Sequence, residues 1–103
     1  MAQSLAQVYI HLVFHTKYNS VTIREEDLPA LFAYVDGIIV NKKSMVIQIG
    51  GVPNHIHILC TLPRTVSMAD FVEDIKKCSS KWIKTLNPYY SQFAWQGGYG
   101  IFS

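Results

Sequence analysis

The chain has 103 residues, half of them hydrophobic and 16% charged, with a formal net charge of +2. That length holds one domain and not two, and that composition supports a packed core and excludes a disordered chain. No apolar stretch is long enough to span a bilayer, and residues 1–8 lack a basic start followed by a long apolar run, so a cytoplasmic protein without membrane association is expected.

The first strong segment runs from Gln7 to His15 and is rich in β-branched and aromatic residues, which suit a strand. Alternation puts Val8, Ile10, Leu12 and Phe14 on one apolar face, and Tyr9, His11, Val13 and His15 on the other. Between Thr22 and Lys43 the pattern changes period. Acids at 25–27 and Pro29 mark a helix start with Asp27 as candidate cap. Leu28, Leu31, Phe32, Val35, Ile38 and Ile39 then form one stripe, and Lys42 and Lys43 suit its C-terminus.

Met45 to Ile49 reads as a short strand, Gly50-Gly51-Val52-Pro53-Asn54 as a turn, and His55 to Leu62 as the returning strand of a hairpin. Ser67 is the expected N-cap of a second helix, with Asp70 at its third position. Its stripe comprises Met68, Phe71, Val72, Ile75, Cys78, Ser79, Trp82, Ile83 and Leu86, and Asn87-Pro88 stops it. Cys60 and Cys78 lie within apolar patterns and are read as small buried hydrophobes. The end of the chain, from Phe93 to Ser103, alternates glycines and aromatics and reads as a fourth strand. The order strand, helix, strand, strand, helix, strand predicts an α+β fold of the ferredoxin-like βαββαβ kind. Two helices would cover one face of an antiparallel sheet, leaving the other face open to a ligand.

Charge is unevenly distributed. From Lys76 to Ser103 there are four lysines and no acid, a distribution that attracts a polyanion. Lys77, Lys81 and Lys84 fall together opposite the apolar stripe and are assigned to a nucleic-acid backbone, as are Lys17 after the first strand and Arg64 after the third. The alternative for each is a solvated surface charge.

His55-Ile56-His57 lies in the third strand. Residues two apart point to the same face, so both imidazoles stand on the open side while Ile56 and Ile58 enter the core. Two neighbouring imidazoles repel when protonated, and they supply two ligands to a divalent cation. A merely solvated pair is the alternative. His11 shares their face and is read as a packing or hydrogen-bonding residue. Trp82 is assigned to the core; Trp95 either stacks on a base or covers the sheet edge, and packing is the preferred reading.

In order and spacing, several segments resemble the single-tyrosine transposases of small bacterial insertion sequences, IS200-like, and their relatives associated with repetitive extragenic palindromes. These segments are Tyr9-Ile10-His11-Leu12-Val13-Phe14 with Thr16-Lys17-Tyr18, Pro53-Asn54-His55-Ile56-His57-Ile58-Leu59, the lysine-bearing helix around Lys76–Ser80, and Phe93 to Ser103. That group belongs to the HUH nucleases, named for histidine-hydrophobic-histidine. The resemblance implies magnesium or manganese held by His55 and His57, cleavage of single-stranded DNA with hairpin ends through a 5′-phosphotyrosine, and action as a homodimer. Two departures stand out. Asn54 occupies the place of the usual aspartate. The family's nucleophilic tyrosine lies on a helix after the fourth strand, whereas this sequence ends at Ser103. Tyr99 aligns with a strand tyrosine, and Tyr89 and Tyr90 do not match the nucleophile. These 103 residues are therefore expected to bind DNA without cutting it. Two other readings stay open: a non-catalytic nucleic-acid-binding module on the same fold, and a small dimer that binds a metabolite or metal for regulation.

Overall fold

The computed structural model describes residues 8–97 and 100–102, the last three for their backbone alone. Its elements are β1 (Tyr9–His15), α1 (Leu28–Asn41), β2 (Val46–Val52), β3 (His55–Thr61), α2 (Met68–Ile83) and β4 (Gly100–Phe102). Short 3-10 turns at Glu25–Asp27 and Pro88–Tyr90 lead into α1 and away from α2. The sheet has the order β2-β3-β1-β4, and every pairing in it is antiparallel. This is the expected split βαβ arrangement. Tyr99 and Ser103 of the expected fourth strand lie outside the described residues, as does Gln7.

Alternation decides which side of the sheet is covered. Ile10, Leu12 and Phe14 of β1 and Ile56, Ile58 and Cys60 of β3 are buried together with Leu31, Val35 and Ile39 of α1 and Phe71, Val72, Ile75 and Ile83 of α2. Both helices therefore pack on one face. Burying a side chain of this size contributes about 1.5–3 kcal/mol, and so the core dictates the register of the two central strands.

Six local expectations are revised. Val8 is exposed and precedes β1, so the apolar face starts at Ile10. Gly50 and Gly51 belong to β2, and the turn shrinks to Pro53-Asn54. The glycines answer a close approach: a Cβ on Gly51 would lie 2.5 Å from the His55 carbonyl oxygen and 2.7 Å from Ile56 Cα. Asp27 precedes α1 but caps nothing with its side chain. Its carboxylate accepts instead from Arg24 Nε at 3.2 Å and from the Tyr90 hydroxyl at 2.6 Å. Helix α2 ends at Ile83, short of Leu86, which is exposed. Trp82 is only half buried, with its ring stacked on Tyr34 at 4.6 Å, and Cys78 is likewise half buried. The Ser67 cap is as expected, its hydroxyl accepting from the Asp70 amide at 3.1 Å. Among the described residues no helix is long and apolar enough to cross a membrane.

Candidate metal centre and nucleic-acid interface

All four histidines of the chain lie on the open sheet face. Register brings this about. Antiparallel pairing sets His15 opposite His55 and Val13 opposite His57, and paired residues share a face. The His15 and His55 rings lie 5.2 Å apart, and the His11 and His57 rings meet edge to face at 5.7 Å. Sequence alternation had already placed His11 and His15 on this face. Their pairing with His57 and His55 follows from the β1–β3 register, which the sequence does not encode locally.

The two candidate ligands are held differently. His55 Nδ1 lies 2.9 Å from Asn54 Oδ1. An amide oxygen only accepts, so the contact matches a ring that donates from Nδ1. Partners of this kind orient metal-ligating histidines, and Asn54 Oδ1 is the atom in that position beside His55. His57 has a seat rather than a tether. Gly50 pairs with it across the strands, and a Cβ on Gly50 would come within 3.2 Å of both Cε1 and Nε2 of the ring. The glycine is thus what leaves room for the imidazole over β2. Two imidazole nitrogens match a divalent first-row ion, and magnesium or manganese would need oxygen ligands to complete its sphere. Among the described residues no three His, Cys, Asp or Glu side chains converge to hold a metal ion.

The assigned cations divide into two groups. Lys17 lines two depressions at once: one with His15, Tyr18, Asn54 and Gln96, and one with Lys84, Ser91 and Gln92. Lys84 and Lys77 in turn line a groove of about 560 Å³ between α2 and the segment Phe93–Trp95. Lys17, Lys84 and Lys77 therefore mark a path that leads from the histidine end of the sheet along α2. Lys81 is exposed on α2 outside these depressions, and Arg64 follows the far end of β3, away from His55. The sequence assignment omitted Lys76, which also lines the groove. Its ammonium donates to the Gln96 carbonyl at 2.6 Å and sits 5.8 Å over the Phe14 ring, and burial lowers its pKa. Helical spacing could have found it beside Lys77. Its anchoring to residue 96 is a tertiary contact. Trp95 packs as expected, with its indole N–H donating to Ser79 Oγ at 3.0 Å and its ring against Phe14 and Phe93.

The family described as "Transposase IS200 like" matches residues 4–103. The chain belongs to the IS200-like transposase family. Two solved structures share its fold. One is a candidate transposase from Deinococcus radiodurans R1, 18% identical, with a TM-score of 0.84 over all of this chain and 85% of that one. The other is a REP-associated tyrosine transposase bound to a REP hairpin, 12% identical, with a TM-score of 0.67 over 99% of this chain and 59% of that one. The chain thus spans about three-fifths of the second relative. No curated protein gives a significant match.

Tyr90 is fully buried, its hydroxyl donates to Asp27, and burial raises its pKa. The Tyr89 hydroxyl donates to the Thr22 carbonyl at 2.9 Å. Tyr34 is stacked on Trp82 in the helical layer. Tyr9 pairs with Thr61 at the end of the sheet remote from His55. Each of these hydroxyls is tied up or distant from the histidine pair. Tyr18 alone among the described tyrosines shares a depression with His15 and Asn54.

Proposed function

We propose that the chain provides the metal-holding and DNA-holding part of a HUH-type site for transposition of single-stranded DNA with hairpin ends. The observation that carries this reading is the side-by-side placement of His55 and His57 on the open sheet face, with Asn54 Oδ1 against Nδ1 of His55. Magnesium or manganese, when bound there, polarises the scissile phosphate and stabilises charge on its oxygens. The protein's own residues do the rest of the holding. His55 and His57 would hold the cation. Lys17, Lys84 and Lys77 take phosphates along the path into the groove beside α2, with Lys81 and Arg64 as outlying contacts.

Cleavage of this kind needs a tyrosine hydroxyl. Its oxygen forms a bond to phosphorus as the bond to the 3′ oxygen breaks, leaving a 5′-phosphotyrosine, and the released 3′ oxygen takes up a proton. None of the described tyrosines occupies the position that family resemblance gives to that group. The 103 residues taken alone are therefore proposed to hold DNA and not cut it. Activity as a pair of chains is part of the same proposal. The apolar side chains Met45, Ile47 and Val52, exposed on and beside edge strand β2, support it.

The test is manganese titration by electron paramagnetic resonance together with gel-shift binding to a pool of single-stranded hairpins. His55→Ala with His57→Ala is expected to abolish stoichiometric manganese binding and the divalent-ion dependence of DNA binding. Unchanged metal-dependent binding in the double variant would remove the metal assignment. Tight RNA binding without any divalent ion would favour a non-catalytic module instead. Sedimentation of the DNA complex reads the number of chains directly.

A further inference from the structure

Tyr18 is 99% exposed, the most exposed large hydrophobic side chain among the described residues. It stands at the apex of a turn that is braced on every side. The Thr16 amide donates to the Asn54 carbonyl at 3.0 Å and the Lys17 amide to the Ala94 carbonyl at 2.8 Å. The Ser20 amide closes the turn onto the Lys17 carbonyl at 2.9 Å, and the Ser20 hydroxyl accepts from the Ala94 amide at 3.1 Å. An isolated exposed aromatic is ordinary on a protein surface. An aromatic held out on a rigid turn is a different object, since its backbone loses little further freedom when something stacks on it.

What lies beside the ring gives the second observation. Tyr18 lines a depression of about 460 Å³ whose other walls include His15, Lys17, Asn54 and Gln96. Asn54 is the residue bonded to His55, and His15 is the residue whose ring faces His55. The depression is therefore next to the histidine pair. Its lining residues offer a cation for phosphate, side-chain amides for a base edge and, at Tyr18, a ring that stands in solvent. That is the chemistry of a single unpaired nucleotide.

We propose that this depression is a nucleotide subsite in which Tyr18 stacks on one unpaired base flanking the hairpin while Lys17 holds that nucleotide's phosphate. The proposal rests on the DNA-holding role argued above and adds a positioning residue to it. Tyr18 sets which nucleotide is parked next to His55 and His57, and thus which phosphate reaches them.

The test uses the whole chain and a DNA hairpin with short single-stranded flanks, in which each flank position is replaced in turn by an abasic residue. Tyr18→Ala is expected to weaken binding about 5- to 150-fold, the range of one base–aromatic stack. Tyr18→Phe keeps the ring and is expected to bind within about twofold of the wild type. One abasic position should weaken the wild type and leave Tyr18→Ala unaffected, because the stack it removes is already gone. Equal binding by wild type and Tyr18→Ala overturns the inference, as does an identical abasic profile in the two proteins. Loss of binding in Tyr18→Phe would also overturn it, by pointing to the hydroxyl. A wild type that binds no such hairpin removes the DNA-holding role itself, whereas a binding wild type with an indifferent Tyr18 removes only the subsite.

Discussion

Strand β3 presents two different chemistries on its two sides. Toward the helices it sends Ile56, Ile58 and Cys60, each fully buried; toward the open face it sends His55, His57 and Leu59, each half exposed. The same backbone and the same ladder to β1 and β2 support both rows. The buried row is held by packing and tolerates no polar atom without a partner. The open row is held by single directed contacts: an amide oxygen on His55, a glycine under His57, and neighbouring rings from β1. The core row and the proposed metal-holding row are thus separated by one residue of register. A slip of one position would bury the imidazoles and expose the isoleucines.

The comparison is most sharply tested by one substitution on each side. Ile58→Ala should cost about 2–5 kcal/mol of unfolding free energy, the transfer term plus the cavity left under two helices. His57→Ala, one position away, should cost less than about 1 kcal/mol while removing metal affinity. Urea unfolding and manganese titration of the two variants read the two rows separately. A large stability loss in His57→Ala would show that the open face is structural after all.

A smaller effect is expected from the residue that orients the open row. Asn54→Leu deletes the acceptor of His55 Nδ1 while keeping the backbone carbonyl that binds Thr16. It should reduce manganese affinity about 10- to 100-fold with little change in the unfolding midpoint. Asn54→Asp should bind the metal at least as well as the wild type, since a carboxylate is the stronger acceptor. Equal affinities for all three proteins would mean that the side-chain bond does not prepare the ligand.

The smallest effect belongs to the buried row. Burial pushes the Cys60 thiol from its ordinary value near 9 up to about 11. Above pH 9 the unfolded chain loses this proton and the folded chain keeps it, so unfolding is favoured as pH rises. The contribution is complete below about pH 9 and is lost progressively toward about pH 11. Unfolding curves across that window should fall for the wild type and stay flatter for Cys60→Val. At lower pH, alkylation of half-buried Cys78 should precede that of Cys60. Equal alkylation rates would show that β3 opens toward solvent on its covered side.

Much of this arrangement was legible in the sequence because it depends on period. A repeat of two put Ile56 and Ile58 inward and His55 and His57 outward, and a repeat of three and four put Leu31, Val35, Phe71 and Ile75 under the sheet. Family resemblance in the residues around His55 was equally local. Errors arose where a side chain answered to something distant in the chain. Gly50 and Gly51 carry the composition of a turn, yet they are strand residues, because His57 and the His55–Ile56 backbone press against them. Asp27 has the position of a cap, yet Tyr90, 63 residues away, takes its carboxylate. Trp82 follows the core stripe, yet it stacks on Tyr34 at the boundary between helices.

The chain by itself thus determined the element order, the inward and outward rows of each strand and the histidine pair, all of which follow from side-chain direction along a single element. Only the tertiary structure decided that β1 lies against β3 in the register that sets His15 beside His55 and His11 beside His57, and that Lys17 joins Lys84 at one end of a groove. Those juxtapositions depend on how separate elements dock. Docking is set by the summed burial of a shared core, which no short stretch of sequence contains.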